Sequence, residues 1–159
     1  MHKKAQTGSM DVVIALAIFV VALALLFMVL RTQQANVDAG VRQRDLAWKA
    51  NAVADLLVTH RGVPGGWERN ASSVTIIGLA ASDHVLSAAK VSAFLNLSAE
   101  TVRDAWNIQP ADYYLELTYL NGSVIGSAGN TSAYDSGAAV ERIVVYNNET
   151  ATMRLRLQH

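Results

Sequence analysis

The sequence contains no cysteine among its 159 residues, which excludes disulfide bonds, thiolate catalysis and cysteine-based zinc sites. Proline is also scarce, since only Pro64 and Pro110 are present. An excess of charge of one sign is absent as well, because 13 Lys and Arg residues balance 13 Asp and Glu residues. The chain therefore lacks the basic surplus typical of a nucleic-acid partner, and its fold must be held together by packing alone.

Sequence motifs of common enzymes are missing too. No Walker A loop, dinucleotide-binding glycine pattern, nucleophile elbow or paired acidic motif occurs. The four histidines do not stand at metal-ligand spacing from one another or from an acidic residue; they are His2, His60, His84 and His159. We therefore predict no enzyme activity, no catalytic residue, no metal site and no cofactor.

The most informative feature that is present is a run of nineteen apolar residues, Val12 to Leu30, without a charge, Gly or Pro. At about 1.5 Å per residue, a helix of this length reaches roughly 28 Å, which is close to the hydrocarbon thickness of a bilayer. A secretory signal peptide and a buried core helix are the alternatives. The run is longer than the roughly 7–15 apolar residues of a signal peptide, and residues 31–34 offer no small-residue cleavage site. The sequence thus predicts a retained membrane helix.

Basic residues do not decide the orientation of this helix, because Lys3 and Lys4 precede it while Arg31, Arg42 and Arg44 follow it. The acceptor motif for N-glycosylation, Asn-X-Ser/Thr, is more informative. It occurs five times, always after residue 61, at Asn70, Asn96, Asn121, Asn130 and Asn148. These motifs predict a single-pass protein of the cell membrane whose C-terminal domain lies outside.

The helical pattern continues beyond the apolar run. Residues 31–60 contain no Pro and one Gly, and apolar residues recur among polar ones until Gly and Pro interrupt the pattern at residues 61–66. We therefore divide the chain into a leader and processing region at 1–10, a membrane or filament-core helix at 11–30, an amphipathic continuation at 31–61 and an α+β domain at 62–159.

The last of these segments combines short helices with strands. A strand is predicted at 74–77, a helix that begins at Asp83 or Ser87 and runs through Leu97, and a second helix at 99–107 capped by Ser98. Alternating apolar residues then predict strands at 113–120, 123–125, 139–146 and 151–157, with a type I′ turn at Asn121-Gly122 and a loop at 126–137. The predicted fold class is α+β, in which a long N-terminal helix packs on a small antiparallel sheet.

The N-terminal residues carry a resemblance to a known family. The stretch Lys3-Lys4-Ala5-Gln6-Thr7-Gly8-Ser9-Met10-Asp11, followed by the apolar run, resembles the class III signal peptide of archaeal type IV pilin-like proteins. In the archaeal pattern Gln, Ser and Glu stand at alternate positions, whereas here Ser9 and Asp11 are one residue late and the acid is Asp. Residues 62–68, 77–80, 142–146 and 155–157 also resemble uncharacterised archaeal pilin-like proteins.

This resemblance implies a type IV pilin-like architecture and a role as a structural subunit, either a pilin or a minor pilin-like protein. A membrane prepilin peptidase would cleave between Ala5 and Gln6, and the apolar helix would join other pilin-like subunits in a cell-surface filament, an extracellular pilus. The carboxylate of Asp11 would pair with the freed α-amine of a neighbouring subunit. The alternative for Asp11 is a simple helix N-cap. The alternative for the whole chain is a membrane-tethered accessory or ligand-binding module that never polymerises.

The aromatic residues add one expectation for the fold and one for binding. We expect Trp48, Trp67 and Trp106 to pack in the core or against a helix, because each ring carries a large apolar area. Tyr134, in the Gly/Ser-rich loop, is the aromatic residue that we expect to be exposed. A role for Tyr134 in adhesion, by binding a sugar or a surface, is a hypothesis.

Overall fold

The computed structural model describes the backbone of residues 4–132 and 137–158, and the side chains of residues 12–31, 40–132 and 137–158. Tyr134 lies outside the described residues. The helices are α1 Lys4–Thr59, α2 Ala88–Leu95 and α3 Ala99–Trp106, with short 3-10 turns at Trp67–Arg69 and Ala71–Ser73. The strands are β1 Ala80–Ser82, β2 Val85–Leu86, β3 Asp112–Tyr119, β4 Val124–Gly129, β5 Gly137–Tyr146 and β6 Glu149–Gln158. The chain forms two compact units, Met1–Arg42 and Gln43–His159.

The long helix α1 ends where the sequence predicts, just before the Gly- and Pro-rich segment at residues 61–66. Its last carbonyl groups have no partner within the helix and need one elsewhere. Backbone N–H groups of a later segment supply it: Leu79 donates to Leu57 at 2.9 Å, and His84 donates to Val58 at 2.9 Å. The carbonyl of His60 accepts in the same way from a backbone N–H. The end of α1 is thus joined to β1 and its turn through the main chain.

The six strands form one sheet in the order β1-β2-β5-β6-β3-β4. Every neighbouring pair is antiparallel except β2 and β5, which pair in parallel through Val85 and Val145. The last strand, β6, lies in the middle and pairs along its whole length with β5 and along most of it with β3. The C-terminal strand β6 therefore joins the two parts of the sheet, β1-β2-β5 and β3-β4.

One face of the sheet carries the core. Alternate residues of β3 and β6 are buried, as their period of two predicts, and the exposed residues of β6 include Arg154. The same hydrophobic cluster contains the distal part of α1, with buried residues at Leu46, Ala50, Val53, Ala54, Leu57 and Val58. Within residues 43–158, a helix packed on an antiparallel-rich sheet is therefore confirmed.

The two short helices cover the remainder of this face. The hydroxyl of Ser98 accepts the N–H of Thr101 at the start of α3, and Asn107 ends the helix in the left-handed conformation, so the predicted cap and extent of α3 are confirmed. The rings of Phe94, Trp106 and Tyr113 pack together, with centroids 5.0–6.3 Å apart. Helix α2 begins after Ser87, which decides between the two predicted start positions.

The tryptophan prediction is correct for two rings and wrong for the third. Trp67 is fully buried, its Nε1 donates to the carbonyl of Gly78 at 3.0 Å, and Trp106 is buried in α3. Trp48 is 72% exposed on α1. The residues of α1 that enter the core recur at helical spacing from Leu46 through Ala50 and Val53, and Trp48 falls outside that stripe.

The predicted strand at 74–77 is wrong. Only an isolated bridge between Val63 and Ile76 forms there. The next residues extend past the end of α1, where the N–H of Leu79 bonds to a helix carbonyl rather than to a strand. A run of β-branched residues therefore lacks a strand partner, and propensity alone does not make a strand.

One turn prediction also needs correction. At Asn121-Gly122 only Gly122 has positive φ, the N–H of Gly122 donates to Tyr119 and the N–H of Tyr119 donates to Ser123, so this is a three-residue loop with a left-handed glycine rather than a type I′ turn. A two-residue turn with both residues at positive φ occurs instead at Asn147 and Asn148.

The predicted loop at 126–137 is partly strand, because β4 continues to Gly129. Both of its glycines have close neighbours, but only Gly129 meets backbone atoms. A Cβ on Gly126 would lie 2.5 Å from Leu95, and a Cβ on Gly129 would lie 2.1 Å from the carbonyl oxygen of Tyr113. Gly129 also has a φ of +100°, which favours glycine.

Candidate functional sites: apolar helix, sequons and a surface cleft

The N-terminal unit contains one segment, Val12–Arg31, that is long and apolar enough to cross a membrane, with a mean hydropathy of 3.3. None of this segment is buried within the chain. Large side chains such as Phe19, Phe27 and Met28 are more than half exposed. The segment is therefore not a core helix of this fold, and its length and composition are those of a membrane span or a signal sequence.

The residues of the predicted processing site precede this segment. The backbone of Ala5, Gln6 and Asp11 is helical, while their side chains lie outside the described residues. Helix α1 begins at Lys4, so Asp11 lies about two turns inside the helix.

The five Asn-X-Ser/Thr motifs, or sequons, lie on different elements of the C-terminal unit. Asn70 joins the two 3-10 turns, Asn96 follows α2 and Asn121 lies in the β3–β4 loop. Asn148 lies in the β5–β6 turn, and Asn130 follows β4. Asn130 is the one that is half-buried, whereas the other four are exposed.

Asn130 is half-buried because it lines an open cleft of about 340 Å³. The polar side of the cleft is an ion pair, in which Nη1 of Arg103 lies 2.6 Å from Oδ1 of Asp112. The amide of Asn130 donates to Oδ2 of the same carboxylate at 3.1 Å. Leu95 and Leu97 form the apolar side. Because Arg103 and Asp112 neutralise each other, the cleft presents no net charge to a ligand.

The wall of the cleft includes the buried residue Tyr113. Burial raises the pKa of the Tyr113 hydroxyl above its ordinary value of 10.0. The positive charge of Arg103 opposes this shift, and the carboxylate of Asp112 adds to it. Tyr113 is therefore a neutral wall of the cleft at physiological pH.

A second polar group that composition does not reveal is Lys90 on α2, which is 5% exposed. Its Nζ donates to the backbone carbonyls of Arg61 and Gly65, the latter at 3.0 Å. Burial lowers the pKa of Lys90 below its ordinary value of 10.5, while Glu68 opposes the shift and Arg61 adds to it. The cation thus fixes the loop that follows α1, and its role is structural.

The signal that could have revealed Lys90 is helical spacing, because it lies four residues before the buried Phe94 on the same face of α2. Within the part of the chain that the structure describes, no three His, Asp or Glu side chains lie close enough to hold a metal ion. No family model, curated protein or solved structure matches this chain significantly. Its function is therefore inferred from its own residues.

Proposed function

We propose that this chain is a structural subunit, an archaeal type IV pilin or minor pilin-like protein that is stored in the membrane and assembles through its apolar helix into a cell-surface filament. The single observation that supports this most strongly is the Val12–Arg31 segment, which is apolar throughout and unburied within the chain. Burying apolar surface stabilises by about 25 cal/mol per Å², so such a segment needs lipid or other copies around it.

The sequence between the apolar segment and the sheet unit favours assembly with other copies of the chain as well as insertion into lipid. The distal residues of α1, such as Leu46 and Leu57, belong to the core of the sheet unit. The apolar segment and the sheet unit are thus parts of one helix-containing chain without a Gly- or Pro-rich linker between them. A simple tether for a domain needs no such continuity, since flexible linkers serve that purpose.

Asp11 provides the proposed axial register. A carboxylate at the mouth of an apolar helix bundle is costly unless it is paired. Cleavage between Ala5 and Gln6 would free an α-amine on each subunit, about five residues or roughly 7.5 Å along the helix from Asp11. The amine of one copy can then neutralise the carboxylate of the next, which would fix the stagger between subunits.

The mature N-terminus tests this proposal directly. We expect mass spectrometry of the protein isolated from the cells that produce it to show a chain that begins at Gln6. We also expect the same mature species in filaments sheared from the cell surface. A chain that retains Met1 or His2 in the membrane, with none in the sheared fraction, would favour the alternative of a tethered accessory or ligand-binding module.

The proposed role of Asp11 has its own test. Asp11→Asn removes the charge but keeps a side chain that caps helices equally well. We expect this variant to be processed and inserted normally but to be lost from sheared filaments. Asp45→Asn is the matched control, because it removes an exposed carboxylate of the same helix that pairs with Lys49. Normal filaments from Asp11→Asn would refute the pairing.

A further inference from the structure

The five sequons differ in what their asparagine amide and their hydroxyl already do in the fold. In N-glycosylation, Nδ2 of Asn attacks the anomeric carbon of a sugar carried on a lipid pyrophosphate. An N–C bond forms, the C–O bond to phosphate breaks with its electron pair, and Nδ2 loses one proton to a base. The reaction therefore needs an Nδ2 that can leave the protein surface, and the motif also requires the hydroxyl two residues later.

Two sequons have the same local geometry. At Asn70, the hydroxyl of Ser72 donates to Oδ1 of the asparagine at 2.7 Å. At Asn121, the hydroxyl of Ser123 donates to Oδ1 at 2.6 Å. Both asparagines are exposed, and within the described residues neither Nδ2 donates to a protein acceptor. Each amide thus already lies beside its hydroxyl, and its nitrogen can reach a sugar donor without breaking a contact of the fold.

Neither of these two sequons is part of an α-helix or of the sheet ladder. Asn70 and Ser72 belong to the pair of 3-10 turns, and the residues from Asn121 to Ser123 form the loop between β3 and β4. Pulling either segment into an enzyme breaks hydrogen bonds within its own turn, such as Asn70 N–H to the carbonyl of Trp67, but leaves the strands paired. Local opening of exposed turns costs little compared with opening of a strand.

Asn130, by contrast, is held in place by contacts of its amide and its backbone. Its Nδ2 donates to Oδ2 of Asp112 in the cleft, a charge-assisted hydrogen bond that is stronger than a neutral one. Its backbone N–H donates to Tyr113 at 2.8 Å, and its carbonyl accepts from Nε2 of Gln158 at 3.0 Å. Moving Asn130 into an enzyme would disrupt all three contacts. The folded structure therefore keeps this sequon from reaching the active site of the enzyme.

The amide of Asn96 and the hydroxyl of Ser98, the third residue of its sequon, each form a hydrogen bond at a helix end. Nδ2 of Asn96 donates to the carbonyl of Ser92 at 2.8 Å, in the last turn of α2. The hydroxyl of Ser98 accepts the N–H of Thr101 and so caps α3. Modification would require both helix ends to fray, and loss of an N-cap alone costs about 1 kcal/mol of stability.

Asn148 is exposed but lies in a strained and paired segment. It is the second residue of the two-residue turn, with a φ of +65°. The rest of its sequon is already in the sheet, because Glu149 pairs with Tyr146 and Thr150 pairs with Val145. Bringing the amide and the hydroxyl together would therefore require the first residues of β6 to leave the ladder.

We propose that Asn70 and Asn121 are the N-glycan acceptors of the folded protein, and that Asn96, Asn130 and Asn148 remain unmodified in it. In the cell, this selection rests on the proposed function, since it requires the C-terminal unit to face the exterior. The geometry on which it depends is independent of membrane orientation, of leader cleavage and of assembly.

A purified system tests the selection without that dependence. Full-length protein in detergent is incubated with a purified oligosaccharyltransferase and a lipid-pyrophosphate oligosaccharide, and glycopeptide mass spectrometry gives the initial rate at each asparagine. Five synthetic peptides, one for each sequon, give the rate without a fold. The ratio of the two rates then reports only the effect of folding.

We expect this ratio at Asn70 and Asn121 to exceed that at the other three sites by at least about tenfold, the factor that corresponds to one or two lost hydrogen bonds. Ratios that agree within about twofold at all five sites, or a higher ratio at Asn130 than at Asn70, would overturn the proposal. An intact leader on the cellular protein would count against the pilin function and leave these ratios unchanged.

Two variants sharpen the result. Asp112→Ala removes the acceptor that holds Nδ2 of Asn130, so we expect the ratio at Asn130 to rise several-fold relative to the other sites. Glu116→Ala is the matched control, because it removes another carboxylate from β3. The carboxylate of Glu116 accepts a hydrogen bond from the hydroxyl of Tyr114. We expect no change at Asn130 in that control. If neither variant changes Asn130, its closure does not come from Asp112.

Discussion

Nε of Arg142 on β5 lies 2.8 Å from Oδ1 of Asp55 on α1. The same guanidinium donates through Nη2 to Oδ1 of Asn51 at 3.0 Å, one turn earlier on the helix. One side chain of the sheet thus contacts two successive turns of α1. The contact is polar, lies at the margin of the core and complements the apolar packing beneath it.

We expect Arg142→Ala to lower the free energy of unfolding by about 1 kcal/mol, because Asp55 is largely exposed and surface ion pairs contribute little. Arg154→Ala is the control, since Arg154 pairs with Glu141 across the outer face of the sheet. That control should cost less than about 0.5 kcal/mol. Urea denaturation of both variants checks this, and equal losses would show that Arg142 does not join the helix to the sheet.

Replacing Lys90 should have a larger effect. In Lys90→Met the two carbonyls of Arg61 and Gly65 lose their donor, and an unsatisfied polar group costs about 1–3 kcal/mol. We expect a loss in that range by thermal or urea unfolding. Lys49→Met, which removes an exposed lysine paired with Asp45, should cost less than about 0.5 kcal/mol. An unchanged stability of Lys90→Met would show that the loop after α1 keeps its conformation without this lysine.

Alkaline pH should destabilise the protein through Tyr113. Because burial raises its pKa above 10.0, the folded chain binds this proton more tightly than the unfolded chain. The contribution of Tyr113 is therefore complete below pH 10.0 and is lost as pH rises through the folded pKa.

Tyr113→Phe tests this sign, since phenylalanine does not titrate. We expect the free energy of unfolding of the wild type to fall more between about pH 8 and about pH 11 than that of the variant. Lys90 titrates in the opposite sense over part of this range, but it is present in both proteins and its contribution cancels. Parallel curves for the two proteins would contradict the prediction.

Removal of residues 1–30 should leave a soluble, folded protein. Among the described residues, the buried apolar core begins at Leu46, and the apolar residues before it are exposed. We expect the fragment 31–159 to unfold cooperatively without detergent. The fragment 62–159, which lacks the helix residues that cover the sheet, should aggregate, because it exposes the apolar face of β3 and β6. Persistent aggregation of the longer fragment would show that its core needs the N-terminal segment.

The elements that the sequence predicts well are those whose pattern is local. Helix α3 has its cap, Ser98, beside it in the chain, and β6 alternates buried and exposed residues around Met153 and Leu155. The exposed apolar run is equally local, because its composition alone determines its length and hydropathy.

The elements that the sequence does not predict depend on distant partners. The sequence predicts that Gly129 lies in a loop, but it belongs to β4 and is required because a Cβ there would meet the carbonyl oxygen of Tyr113. The segment at 74–77 reads as a strand, but the residues that follow are drawn to the end of α1. For the sequons, the motif identifies five acceptors equally. The contacts of Asn130 with Asp112 and with two other distant residues distinguish it from Asn121. None of these relationships can be read from spacing along the chain.

The joint between the end of α1 and the residues after it is made by main-chain atoms, with the carbonyls of Leu57, Val58 and His60 as acceptors. These backbone hydrogen bonds do not depend on which side chains are present, but Leu57 and Val58 are fully buried, so packing restricts their replacement. Gly78 is restricted for a different reason, because a Cβ there would lie 2.2 Å from the carbonyl oxygen of His60. Main-chain atoms therefore set the geometry of this joint, whereas burial at Leu57 and Val58 and the close approach at Gly78 limit which residues can form it.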